Sequence, residues 1–170
     1  PVASGYGIGA SVLYASVVFL LPGALAGFGT ALASGRWIDR YGARRVLLIG
    51  AAIGVAGFAT LAALRTAGWP AIVAGIMVNA YISLAYGALP ALVVREVDPG
   101  ETGVATSMNA ISRTLGGSIA AAVVAVLLSR PSPTGHPPES SFTAIFALGA
   151  LTGLVAMVLI AVGNPRLRRI

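Results

Sequence analysis

The sequence predicts an all-α integral membrane protein of five transmembrane helices. Three observations carry this. Of the 170 residues, 57% are hydrophobic and only 9% charged, against about 25% charged in soluble domains. A chain of this size cannot hide so much apolar surface in a core, so the surplus must face lipid. The apolar residues gather in five runs, each near the roughly 20 residues needed to cross a bilayer, and the charges gather between the runs.

The first run covers 12–32. It carries Gly23 and Gly27 at four-residue spacing, a ridge that continues through Ala31 to Gly35. Pro22 lies within it and removes a helix bond, which predicts a bend. The second run, 46–64, carries Gly50 and Gly54. The third, 72–94, follows Gly68-Trp69-Pro70. Pro70 suits a helix start, where its missing N–H costs nothing, and Trp69 reads as an interfacial anchor. Pro90 predicts a second bend. The fourth run, 109–128, carries Ser112, Gly116 and Ala120, and the fifth, 142–162, carries Gly149 and Gly153. Lipid removes the hydrophobic drive between helices, so ridges of small residues decide where backbones approach. These ridges predict a compact bundle.

Orientation follows from the arginines, which supply all eleven basic residues. Loops assigned to alternate sides place Arg36, Arg40, Arg44, Arg45, Arg95, Arg166, Arg168 and Arg169 together, with Arg65 and Arg130 opposite. The positive-inside bias makes the first set cytoplasmic, the C-terminus included. An odd number of spans puts the N-terminus outside. The external loop 129–141 is Pro-rich and polar, and reads as an irregular linker. Pro1 stands where an initiator Met or a signal peptide would begin, which predicts a fragment or one part of a longer chain.

Several function classes drop out. A net charge of +6 can mark nucleic-acid binding, but here the arginines cap apolar runs, as membrane proteins distribute them. No enzyme is expected, and no cofactor or metal. The one histidine, His136, lies in the external loop, cysteine is absent, and no metal, nucleophile or phosphate-loop motif occurs. Glu96, Asp98 and Glu101 crowd one loop beside Arg95, where a solvated turn and helix start are expected.

The loop 35–47 reads Gly-Arg-Trp-Ile-Asp-Arg-Tyr-Gly-Ala-Arg-Arg-Val-Leu. Gly35 and Gly42 permit tight turns, and Asp39 can accept bonds from Arg40, Arg44 or Arg45, or from a helix N-terminus. The pattern resembles the signature loop of the major facilitator superfamily, with Gly35, Asp39, Arg40, Gly42, Arg44 and Leu47 in register. Trp37, Ile38 and Ala43 depart from it. The segment 101–117, Glu-Thr-Gly-Val-Ala-Thr-Ser-Met-Asn-Ala-Ile-Ser-Arg-Thr-Leu-Gly-Gly, looks like the penultimate helix of drug-exporting members. The resemblance implies that residues 1–170 form a partial C-terminal transmembrane bundle, matching the last five helices of a transporter with two six-helix halves. It implies lipid, a missing N-terminal half and a small-molecule substrate as partners, and a cell-membrane location; a proton is one candidate coupling ion, left open because no carboxylate stands within a span. It also implies a gating role for Gly35, Asp39, Arg40, Gly42 and Arg44.

Candidate substrate-cavity residues come from polarity within the spans. Gly75, Asn79, Ser83, Tyr86 and Pro90 share one helical face. An aqueous cavity at mid-depth would use that stripe, and so would interhelical hydrogen bonding. Arg113 is the one charge expected inside a span, about one turn deep if the boundary lies near Asn109. It is open to two readings, a snorkelling interfacial residue and a gating or substrate contact. The expected function is a share in secondary active transport, exporting drugs or small metabolites by alternating access. The alternative is a small five-helix membrane subunit or scaffold without transport activity.

Overall fold

The computed structural model describes residues 11–64, 68–130 and 135–163, and these form five long helices with no strand among them. Helix α1 spans Val12–Tyr41, α2 Ala43–Ala63 and α3 Gly68–Glu96. Helix α4 spans Thr102–Leu128 and α5 Glu139–Val162. All five are long and apolar enough to cross a membrane.

The helices begin and end where local chemistry dictates. In α1 a π-helical turn, Ser16–Leu20, precedes Pro22, and the Leu21 amide reaches back to the Ser16 carbonyl. The wider turn absorbs the register that proline cannot hold. Pro70 sits in the first turn of α3, where no intrahelical donor is needed, and is fully buried. Helix α3 continues through Pro90 to Glu96. A 3₁₀ turn, Pro99–Glu101, then leads into α4. Helix α4 therefore starts well before position 109. Thr106, Ser107, Thr114 and Ser118 allow this by turning their hydroxyls onto carbonyls one turn back, at 2.7–3.1 Å. Self-satisfied hydroxyls travel within an apolar helix at little cost. Helix α5 likewise takes in Glu139, Ser140 and Ser141 from the end of the polar linker.

Helix α3 is the centre of the bundle, packed on α1 along one side and on α2 along another. Glycines make both contacts. A Cβ on Gly23 would lie 2.7 Å from Asn79 Nδ2 and 3.0 Å from the Gly75 carbonyl oxygen, and one on Gly27 would lie 3.1 Å from Ser83 Oγ. On the other side, Gly50 meets Leu84, Gly54 meets the Tyr81 ring and Gly57 meets Met77 and Val78. Helix α2 then seats α5, with Gly149 against Phe58 and Gly153 against Val55. Three of the four predicted ridges thus lie under a neighbouring helix. The fourth does not: a Cβ on Gly116 would meet nothing within 4 Å.

The buried core gathers at one end, where Ile38, Ala43, Val46, Leu47, Leu84 and Ala88 close the junction of α1, α2 and α3. Helix α4 touches α3 and α5 lightly and has no buried residue. Its Val104, Met108, Ile111, Leu115 and Ile119 are largely exposed, a row that only lipid or another protein surface can cover.

Candidate functional site

Polar groups converge at two places. The first is the junction of α1 and α2, which holds the basic segment. Gly42 alone makes the turn, at φ 85° and ψ 145°. That backbone region is close to glycine-only. Its amide closes α1 by donating to the Ile38 carbonyl at 2.9 Å, and its carbonyl accepts from the Val46 amide at 3.2 Å to open α2. The turn expected at Gly35 is not formed. Gly35 lies inside α1, and a Cβ there would meet nothing within 4 Å.

Arg44 reaches across to the last turn of α5. Its Nε donates to the Ile160 carbonyl at 3.0 Å and its Nη2 to the Ala161 carbonyl at 2.9 Å. The last carbonyls of a helix lack intrahelical donors and carry the negative end of its dipole. The guanidinium fork satisfies two of them at once. Asp39 is exposed, and among the described residues it makes no hydrogen bond or ion pair. The pairing anticipated between Asp39 and a neighbouring arginine is therefore not formed. Arg44 is committed to α5, and Arg40 lies over the Tyr41 ring, 5.5 Å from its centroid.

The second place is a cleft of about 180 Å³ between α3 and α4, lined by Tyr81, Ile82, Ala85, Tyr86, Leu89, Pro90, Asn109 and Arg113. The Arg113 guanidinium sits over the Tyr86 ring, 4.5 Å from its centroid. Among the described residues it makes no hydrogen bond or ion pair. Because α4 starts at Thr102, Arg113 falls within one turn of the helix midpoint rather than near an end. An arginine at a helix centre costs about 2.5–3.5 kcal/mol on insertion scales. A cation over a tyrosine face returns about 0.5–2 kcal/mol. The ring alone does not offset the charge, so its N–H donors require water or a further partner.

The polar stripe of α3 divides between two neighbours. Asn79 and Ser83 lie half-buried against Gly23 and Gly27 of α1, and Asn79 Nδ2 donates to its own Gly75 carbonyl at 2.9 Å. Tyr86 faces α4 and is exposed. The structure brings Tyr86 and Arg113 together, with Asn109 one turn below Arg113. It does not bring Asn79 and Ser83 into that cleft. Of the lining residues, the stripe holds only Tyr86 and Pro90, and Tyr81 and Asn109 are polar members that were not among the candidate cavity residues. The signal for Asn109 was its four-residue spacing from Arg113.

A bundle with apolar outer faces on helices of this length is that of a polytopic membrane protein. Comparison with known families is more specific: the profile of the Major Facilitator Superfamily matches residues 1–169. The chain belongs to this family of membrane transporters. No curated protein and no solved structure matches it.

Proposed function

We propose that the chain is the C-terminal share of a secondary active transporter that exports drugs or small metabolites by alternating access, without enzymatic activity. The observation that carries this is the α3–α4 cleft, with Arg113 near the middle of a helix. Transporters place substrate sites near the bilayer midplane, between helices that can part, and α4 is the least packed helix here. Its faces differ in character. Val104, Met108, Ile111, Leu115 and Ile119 suit lipid, while Thr106, Asn109, Arg113 and Gly117 suit water or protein. The second face would meet the cavity and an N-terminal half. Asn79 and Ser83 would set the position of α3 behind that cavity, and Tyr86 and Arg113 would line it. Gly35, Asp39, Arg40, Gly42 and Arg44 would form a gate at the cytoplasmic end of a cell-membrane protein, with the C-terminus on the same side and a proton as the coupling ion.

The test is transport by the intact protein. Inverted vesicles should take up an amphipathic aromatic probe such as 1-naphthoate saturably, and a protonophore should collapse the uptake. Asp39→Asn should lower the rate without lowering insertion. The 170-residue chain alone should not transport, because rocking needs two halves around one site. If the well-inserted intact protein is inert over a broad panel of neutral, cationic and anionic probes, a scaffold role replaces transport.

A further inference from the structure

We infer that the α3–α4 cleft is a binding site for a small organic anion, a carboxylate on a flat apolar body of one or two rings. The inference deepens the transport reading above and rests on it for the site's purpose. The first argument is charge. All five acidic residues, Asp39, Glu96, Asp98, Glu101 and Glu139, lie at helix ends or between helices. Glu101 is separated from Arg113 by about 18 Å of helix rise, and Glu96 from Tyr86 by about 15 Å. Among the described residues no carboxylate pairs with the guanidinium, which lies over the Tyr86 ring.

The second argument is geometry. The Arg113 guanidinium carbon lies over the Tyr86 ring, 4.5 Å from its centroid, and the guanidinium carries a planar fork of five N–H donors that matches a carboxylate in bidentate fashion. Asn109, one turn along α4, adds an amide on the same side. The remaining lining is aromatic and aliphatic, from Tyr81, Ile82, Ala85 and Leu89. A carboxylate would meet Arg113 while a ring packed beside Tyr86 and Tyr81. The volume of about 180 Å³ is below the range of drug-sized pockets, which sets the small size. A cationic substrate has no counter-charge here and would face Arg113 directly.

Binding of 1-naphthoate to the intact protein in phosphatidylcholine nanodiscs tests this, read by fluorescence anisotropy beside the neutral 1-naphthamide and the cationic 1-naphthylmethylammonium. Naphthoate should bind at least tenfold tighter than either. Arg113→Gln should abolish that preference by weakening naphthoate binding at least tenfold more than amide binding. Arg113→Lys should retain part of it, Tyr86→Phe nearly all, and Tyr86→Leu should weaken it. Equal binding of naphthoate and amide by the native protein overturns the inference. An equal loss of both in Arg113→Gln also overturns it, since the arginine would then be structural. Phosphatidylglycerol in the nanodiscs distinguishes the source of the anion. If it displaces naphthoate from the native protein, the occupant is a lipid headgroup and the soluble anion is refuted. Because the readout is binding, the two readings fail separately. Arg113-dependent binding without gradient-driven transport removes the transporter reading alone, and transport without charge preference removes the anion site alone.

Discussion

Substituting Gly54 by alanine isolates the close approach that holds α2 to α3. A Cβ at this position would lie 2.6 Å from Tyr81 Cγ, 2.7 Å from Cδ1 and 3.1 Å from Cβ. Carbon pairs prefer about 3.5–4.0 Å, so the overlap is close to 1 Å. Spinning the ring about its own axis moves neither Cγ nor Cβ. Relief needs a rotamer change at Tyr81 or a wider gap between two helices already in register. Overpacking of this kind costs about 1–3 kcal/mol. Alanine also gains up to about 1 kcal/mol of helix propensity over glycine, which would blur the result. Gly29→Ala removes that ambiguity, because a Cβ there meets nothing within 4 Å and the position is also helical. The propensity gains cancel in the difference. Gly54→Ala should therefore be less stable than Gly29→Ala by about 1–3 kcal/mol, or roughly 5- to 150-fold in the unfolding equilibrium. The measurement is reversible unfolding of the intact protein in mixed micelles, titrated with sodium dodecyl sulfate and followed by circular dichroism. Equal stability of the two variants would show that α2 and α3 do not approach at Gly54.

Arg44→Gln should destabilise by about 1.5–2 kcal/mol, the lower part of the range for charged hydrogen bonds, since one of its two bonds is exposed; unchanged amide exchange in the last turn of α5 would refute the clamp. Gly42→Ala should lose about 1–3 kcal/mol through its positive φ, whereas Gly35→Ala should be neutral or stabilising. Thermal unfolding with both variants alike would contradict the one-residue turn. In this chain without native cysteine, Cys at position 86 should react with a water-soluble thiol reagent. Cys at 79 and 83 should react far more slowly, and a reversed order would mean that α3 is rotated.

The five helices and the apolar exterior were legible because composition and run length report directly on the surrounding solvent. So were the ridges, since spacing fixes which residues share a helical face. Which helix each ridge meets was not legible, as periodicity orients a helix without naming its neighbour. Gly50/Gly54 and Ser112/Gly116/Ala120 look alike in the sequence, yet Gly54 meets a tyrosine ring and Gly116 meets nothing. Gly35 and Gly42 are likewise equivalent as letters, and only the backbone separates a helical glycine from one at φ 85°. The Arg44 clamp joins residues 116 positions apart, beyond any local reading. The stripe on α3 shows a subtler limit. Its residues share a face, but Asn79 and Tyr86 differ by about 10 Å in height. Helix α1 follows Asn79, Ser83 and Gly87 along α3, which leaves Tyr86 to face α4.

The distribution of contacts also sets where this bundle is stiff. Helices α1, α3, α2 and α5 are joined in that order by glycine seats, several of which bring a would-be Cβ within 3.1 Å of a neighbour. Arg44 adds a polar tie between the start of α2 and the end of α5. Separating any of these pairs would forfeit close van der Waals contact, which is the main attraction available between helices in lipid. Helix α4 has no such seat and no buried side chain. A cation–π contact of about 0.5–2 kcal/mol therefore forms an appreciable part of its attachment to α3. The element with the weakest hold is also the one that carries Arg113 near its midpoint. A ligand engaging Arg113 would draw on the same side chain that fastens α4 at its middle, so occupancy of the cleft and the position of this helix are linked through one residue.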